Sequence, residues 1–167
     1  MKTVPPRVER IYLAILTLCV VRLWASPISS SFWLDECGMV WLTQGDLRDT
    51  LARAIGWPGH SVLYALFFSV AKSLVGHSEV LLRLPSLAVM IGALVVLHKL
   101  AARLMDRESA WIAVIVFATN QNVIFAAPDA RPYSFATFAL LAAMWFLVQW
   151  LDTGLIRFGV LYAFFAA

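Results

Sequence analysis

Residues 61–75 read SVLYALFFSVAKSLV, and whether this run crosses a membrane decides the topology of everything around it. It is apolar, but shorter than the roughly 20 residues that a spanning helix needs. Ser61, Ala65, Ser69 and Lys72 recur at helical spacing and form a narrow polar stripe. Such a pattern predicts a helix lying in the membrane interface, with spanning as the alternative.

The surrounding composition is that of an integral membrane protein. The chain is 62% hydrophobic and 14% charged, with a mean hydropathy of +0.81; average soluble domains are about 25% charged. An all-α, polytopic helical bundle is expected. Spans are predicted over Val8–Ser26, Glu79–Ala101, Ala110–Ala127 and Tyr133–Leu151, with a truncated fifth from Arg157. The opening MKTVPPRVERIYLAILTLCVVRLWASPISS has the layout of a signal peptide, yet Arg22 and Trp24 interrupt its apolar stretch. It is read as a retained helix. The chain stops inside the apolar run FGVLYAFFAA and is read as the N-terminal part of something longer. Cys19 falls inside the first apolar run and Cys37 outside it, so no disulfide is expected.

Basic residues arbitrate the topology. If 61–75 lies in the interface and the N-terminus is cytoplasmic, then Lys2, Arg7, Arg10, the cluster Lys99, Arg103 and Arg107, and Arg157 are all inside. Asp35, Glu36, Asp46, Asp49, Glu79 and Asp129 then lie outside. If 61–75 spans, the Lys99–Arg107 cluster moves outside, against the positive-inside bias. The interfacial reading is preferred. It predicts a multi-pass protein of the inner (plasma) membrane, with a long outer loop, residues 27–78. Within that loop GDLRDTLARAI is expected to be a short amphipathic helix capped by Asp46. The net charge of +3 is spread along the chain and gives no nucleic-acid signal. Membrane lipids are the expected surroundings.

Few residues can carry chemistry. SSSFWLDECGMVW, residues 29–41, holds the acid pair Asp35-Glu36 among aromatic residues. Such a pair is either a solvated helix start or a general base or metal ligand, partly desolvated beside Trp33 and Met39. APDARPYS places Asp129, Arg131 and Tyr133 at a second outer loop. There Arg131 either snorkels to headgroups or meets a phosphate. His60 is a helix start or a headgroup contact as readily as a catalyst. Arg83 and Arg22, near the outer ends of two spans, are either snorkelling or paired. Asn120, Gln121 and Asn122 can bridge helices or line a wet cavity. No Gly-rich phosphate loop, Cys/His metal spacing or nucleophile elbow occurs.

Taken in order, WLDE, HSVLYALFF, GHSEVLLRLPSLAV and DARPYSF resemble the polytopic GT-C glycosyltransferases. The likeness is to the dolichyl-phosphate-mannose-protein mannosyltransferase and aminoarabinose-transferase family, and it covers roughly Val8 to Leu151. The resemblance implies protein or lipid glycosylation by inverting transfer from a polyprenyl-phosphate-linked sugar to an acceptor hydroxyl on the extracytoplasmic face. It implies Asp35 as general base, Glu36 in support and Asp129 organising the site. In some branches a divalent metal is held there, which here would fall to Asp35 and Asp129. Arg131 and Arg83 would meet the carrier phosphate, with His60 and Tyr133 as further substrate contacts. The family often carries HPPL where this chain reads WPGHSVL, and its members have more than twice as many spans.

A non-catalytic membrane subunit, a truncated remnant, or a lipid or solute transporter are the rival readings. Transporters place ionisable residues near the bilayer midplane. Here they gather at the ends of the spans.

Overall fold

The computed structural model describes residues 5–57 and 61–167; His60 and Lys2 lie outside the described residues. The architecture is all-helical, with no strand among the described residues. Helix α1, Pro6–Cys19, starts with proline in its first turn, where a missing N–H costs nothing, and continues through a π-helical segment, Val20–Ala25, and a short 3-10 turn, Ser26–Ser29. The outer-loop helices follow: α2 Leu34–Leu42, α3 Leu47–Gly56 and α4 Val62–Val75. Then come α5 Glu79–Leu104, α6 Arg107–Ala118, α7 Gln121–Ala126, α8 Tyr133–Thr153 and α9 Ile156–Ala166.

Three of these are long and apolar enough to cross a membrane: Pro6–Ser29, Glu79–Leu104 and Tyr133–Thr153. The expected span Ala110–Ala127 is instead two helices. Thr119 Oγ1 donates back to Ile115 O at 2.9 Å, and Asn120 Oδ1 accepts from Asn122 N at 3.0 Å, capping α7. Side chains of this kind offer the backbone an alternative to helix. The carbonyl left free at the end of α6 is not wasted. The fully buried Trp24 donates its Nε1 to Ala118 O at 3.0 Å.

The ambiguous run forms α4. Its 14 residues reach only about 21 Å at 1.5 Å per residue, short of the roughly 30 Å hydrocarbon core. Ser61 caps it by accepting from Tyr64 N at 3.2 Å. The face turned inward is Tyr64, Ala65, Phe68 and Ala71, while Leu63, Phe67, Val70 and Leu74 are exposed. Lys72 reaches across to donate to Thr43 O at 3.1 Å. Asp46 caps α3, accepting from Asp49 N at 2.8 Å, as its sequence predicts. The preceding Gly45 has a φ of +85°, and the Asp49 carboxylate fills the space a Cβ would need.

Two cores result. Met90, Ala93, Leu94, Val114, Ala118 and Leu141 join α5, α6 and α8 around Trp24. The small Ala93, Ala142 and Ala143 are buried in the helix pairs, and such residues let backbones approach closely. A second cluster, with Met39, Leu42, Tyr64, Phe68 and Leu82, seats the outer-loop helices on the start of α5.

Ion pairs mark the two ends of the bundle. At one end Arg107 Nη2 meets Glu9 Oε1 at 2.6 Å and Arg103 Nη2 meets Asp152 Oδ2 at 2.8 Å. At the other, Arg83 meets Glu36 and Arg131 meets Asp35. The starts of α1 and α6 and the ends of α5 and α8 therefore share one end, and Asp35 and Asp129 share the opposite one.

That alternation is testable in membranes. The exposed Cys37 and a Tyr133→Cys variant should react with an impermeant thiol reagent from one side, and Met105→Cys from the other. Labelling of Tyr133→Cys and Met105→Cys from the same side would overturn the arrangement.

Candidate functional site

The site is built from the start of α2. Glu36 occupies the third position of that helix, and its Oε2 accepts from Trp33 N at 3.3 Å. Acids in a first turn are favoured by the helix dipole and its unpaired N–H groups. One position earlier, Asp35 points elsewhere, because neighbouring residues on a helix do not face the same way. The pair thus divides, with Glu36 fully buried and Asp35 about half exposed at 48%.

Glu36 is saturated. Oε1 accepts from Arg83 Nε at 2.8 Å and from Ala130 N at 3.0 Å. Oε2 accepts from Arg83 Nη2 at 2.5 Å besides Trp33 N. A carboxylate offers about four acceptor sites, and all are used.

Arg83 is saturated too. Besides Glu36 it donates to Ile28 O at 2.9 Å, to Ser31 O at 3.3 Å and to Ser30 O. A guanidinium has five N–H donors, and each has a protein acceptor. The ring of Phe32 lies 5.0 Å from its carbon centre. Buried in this way, Arg83 ties the 28–31 segment and α2 to α5.

Above this pair sit the other two acids. Asp129 is buried at 6% exposure and accepts from Trp33 Nε1 at 3.3 Å. Burial pushes its carboxyl up to about 6; the Trp33 hydrogen bond opposes the rise, the nearby Glu36 adds to it and Arg131 opposes it. Asp35 Oδ2 is ion-paired with Arg131 Nη1, and the Arg131 guanidinium lies 5.2 Å from the Tyr133 ring. A cleft of about 320 Å³ opens here, lined by Trp33, Glu36, Arg83, Phe125 and Asp129 among others.

The residues singled out in the sequence thus converge, with qualifications. Asp35, Glu36, Asp129, Arg131, Arg83 and Tyr133 gather at one end of the bundle, whereas His60 lies outside the described residues. Asn120 caps α7 by accepting from Asn122 N, neither residue lines the cleft, and Arg22 donates to Ser26 Oγ at 3.2 Å. Trp33, expected to desolvate the Asp35-Glu36 pair, is the hydrogen-bond partner of Asp129. Its position beside an acid pair was the one available signal.

A divalent metal does not fit this donor set. Asp35 is committed to Arg131 and Glu36 to Arg83. Among the described residues no group of three His, Cys, Asp or Glu side chains could hold an ion. Comparison with protein-family models, curated proteins and solved structures finds no match.

Two consequences are measurable. Arg83→Met leaves Glu36 charged and buried, and should cost about 3–5 kcal/mol of stability. Asp35→Asn, at the half-exposed member of its pair, should cost under about 1 kcal/mol. Thermal unfolding in detergent compares them, and equal losses would contradict the division of the acid pair. Asp129 gives a pH signature. Its native carboxyl holds a proton up to about pH 6, while an unfolded aspartate releases it near about 3.9. Stability should therefore fall as pH rises through that window. Asp129→Asn should flatten the fall; an unchanged slope would place the titration elsewhere.

Proposed function

We propose that this chain belongs to an inverting glycosyltransferase of the inner membrane, transferring a sugar from a polyprenyl-phosphate donor to a protein or lipid hydroxyl. In this reading the N-terminus is cytoplasmic, α3 and α4 lie in the outer interface, and the acidic cleft faces the extracytoplasmic side. The basic residues Arg103 and Arg107 at the opposite end support that orientation.

The observation that carries the reading is the Asp35–Arg131 ion pair at the end of the bundle where Asp129 lines the cleft. It joins the two groups the reaction needs, a proton acceptor that is about half exposed and a cation for phosphate that is 17% exposed. The donor phosphate competes for Arg131, and Asp35 is released as it binds. The acceptor hydroxyl oxygen then attacks the anomeric carbon as its proton passes to Asp35. The bond from that carbon to the phosphate oxygen breaks, and polyprenyl phosphate leaves with the electron pair. Phosphate is already a good leaving group, so alignment, proton removal and charge stabilisation are the enzyme's share. Arg83 has no free donor and acts by holding Glu36 and the 28–31 segment in place.

A second assignment of the base rests on one observation. Burial raises the Asp129 carboxyl to about 6, toward the range suited to a general base near neutral pH. Transfer of labelled sugar by the intact gene product in membranes separates the two. With Asp35 as base, Asp35→Asn should slow transfer by at least about 100-fold, while Asp129→Asn keeps a measurable rate. The reverse pattern would move the base to Asp129. Undiminished transfer in both variants would sink the site. No transfer by the wild type from any polyprenyl-phosphate sugar would favour the non-catalytic subunit.

A further inference from the structure

A second cavity lies at the other end of the bundle, and the acidic cleft does not account for it. It is a groove of about 380 Å³ between α1, α5 and α6, bounded by Leu16, Val20, Val95, His98, Lys99 and Trp111. Ligand sites typically run roughly 300–1,000 Å³. Lys99 stands 16 residues after Arg83 on α5, so the groove is about 24 Å from the acidic cleft along that helix.

Three features say what fills it. The walls are mostly hydrocarbon, and the α1 side of the groove is barely packed: from Pro6 to Ser29 only Trp24 is buried. Next, two buried nitrogens on these walls, Trp111 Nε1 and His98 Nε2, have no hydrogen-bond partner. The two rings lie 4.5 Å apart, and Trp111 as a whole is 9% exposed. Both nitrogens are sealed off, so these rings add wall to the groove rather than a hydrogen bond to its occupant. Finally, Lys99 is exposed at the same groove and makes no ion pair among the described residues, whereas the neighbouring Arg103 and Arg107 are both paired.

We propose that the groove holds an acyl chain of an anionic phospholipid, with Lys99 on its phosphate. A second transmembrane helix is the competing occupant. It would need an acidic side chain of its own to answer Lys99, whereas an anionic phospholipid brings the hydrocarbon and the counter-charge together. The site is independent of the transferase reading and lies at the opposite end of the spans.

The test is lipid retention. The intact protein is reconstituted in vesicles of equal parts phosphatidylglycerol and phosphatidylcholine, extracted in mild detergent, and its bound lipids counted by native mass spectrometry. Wild type should retain phosphatidylglycerol over phosphatidylcholine by about fivefold, the preference one lysine near a membrane surface confers. Lys99→Gln should bring that ratio close to one. Val95→Trp, at a half-exposed position on the groove wall, should remove the retained lipid of either class. Both positions are outside the core, so each variant should keep the wild-type circular dichroism. Equal retention of the two lipids by wild type, or wild-type retention by Val95→Trp, would overturn the proposal. So would loss of the lipid in Arg131→Gln, which would place it in the acidic cleft. Cross-linking of Val95→Cys to another protein chain, with no lipid retained, would give the groove to a helix.

Discussion

One buried ion pair organises the acidic end of this molecule. Glu36 and Arg83 lie 47 residues apart in sequence, and neither reaches solvent in any useful degree. Two charges withdrawn from water are tolerated only when their geometry is good and their remaining donors and acceptors are satisfied. Here every one is. That completeness makes the pair a joint rather than a reactive group. Through Arg83 it holds the 28–31 segment, through Trp33 N the start of α2, and through Ala130 N the loop that carries Asp129 and Arg131.

From this joint follows a division among three acids. Glu36 is saturated and inert. Asp35, adjacent in sequence, is turned to the rim and shares its charge with Arg131. Asp129 is held under Trp33 with its carboxyl raised by burial. Environment rather than residue type separates them. The same joint separates the two arginines. Arg83 has spent its donors on protein, and Arg131 is ion-paired with Asp35 beside the Tyr133 ring.

Much of the fold was legible because it depends on local signals. The apolar lengths of α1, α5 and α8, the Asp46 cap on α3 and the shortness of α4 can all be read from composition and spacing. The shared side of Asp35 and Asp129 followed from the distribution of basic residues. What escaped the sequence was pairwise. Nothing in SEVLLRLPS says that Arg83 meets Glu36 rather than a headgroup, because both behave alike until a partner 47 residues away is known. The stripe on α4 also took its placement from partners: Ser61 is exposed, Ala65 is fully buried and Lys72 is turned to Thr43 O, while the apolar Leu63, Phe67, Val70 and Leu74 are exposed. The break at Asn120 was hidden for a different reason. Its flanks are apolar enough to span, and only the caps made by Thr119 and Asn120 reveal the interruption.

If the cleft serves a polyprenyl-phosphate sugar, Arg131 is where the phosphate binds. The most direct test is the affinity of the intact protein for a short-chain polyprenyl phosphate, measured by calorimetry for wild type and for Arg131→Gln. Loss of a charged hydrogen-bonding partner of phosphate is worth about 1.5–3 kcal/mol, so the variant should bind roughly 10- to 150-fold more weakly. Equal affinity in the two proteins, or no binding by wild type, would contradict the assignment of this cleft to a lipid-phosphate donor.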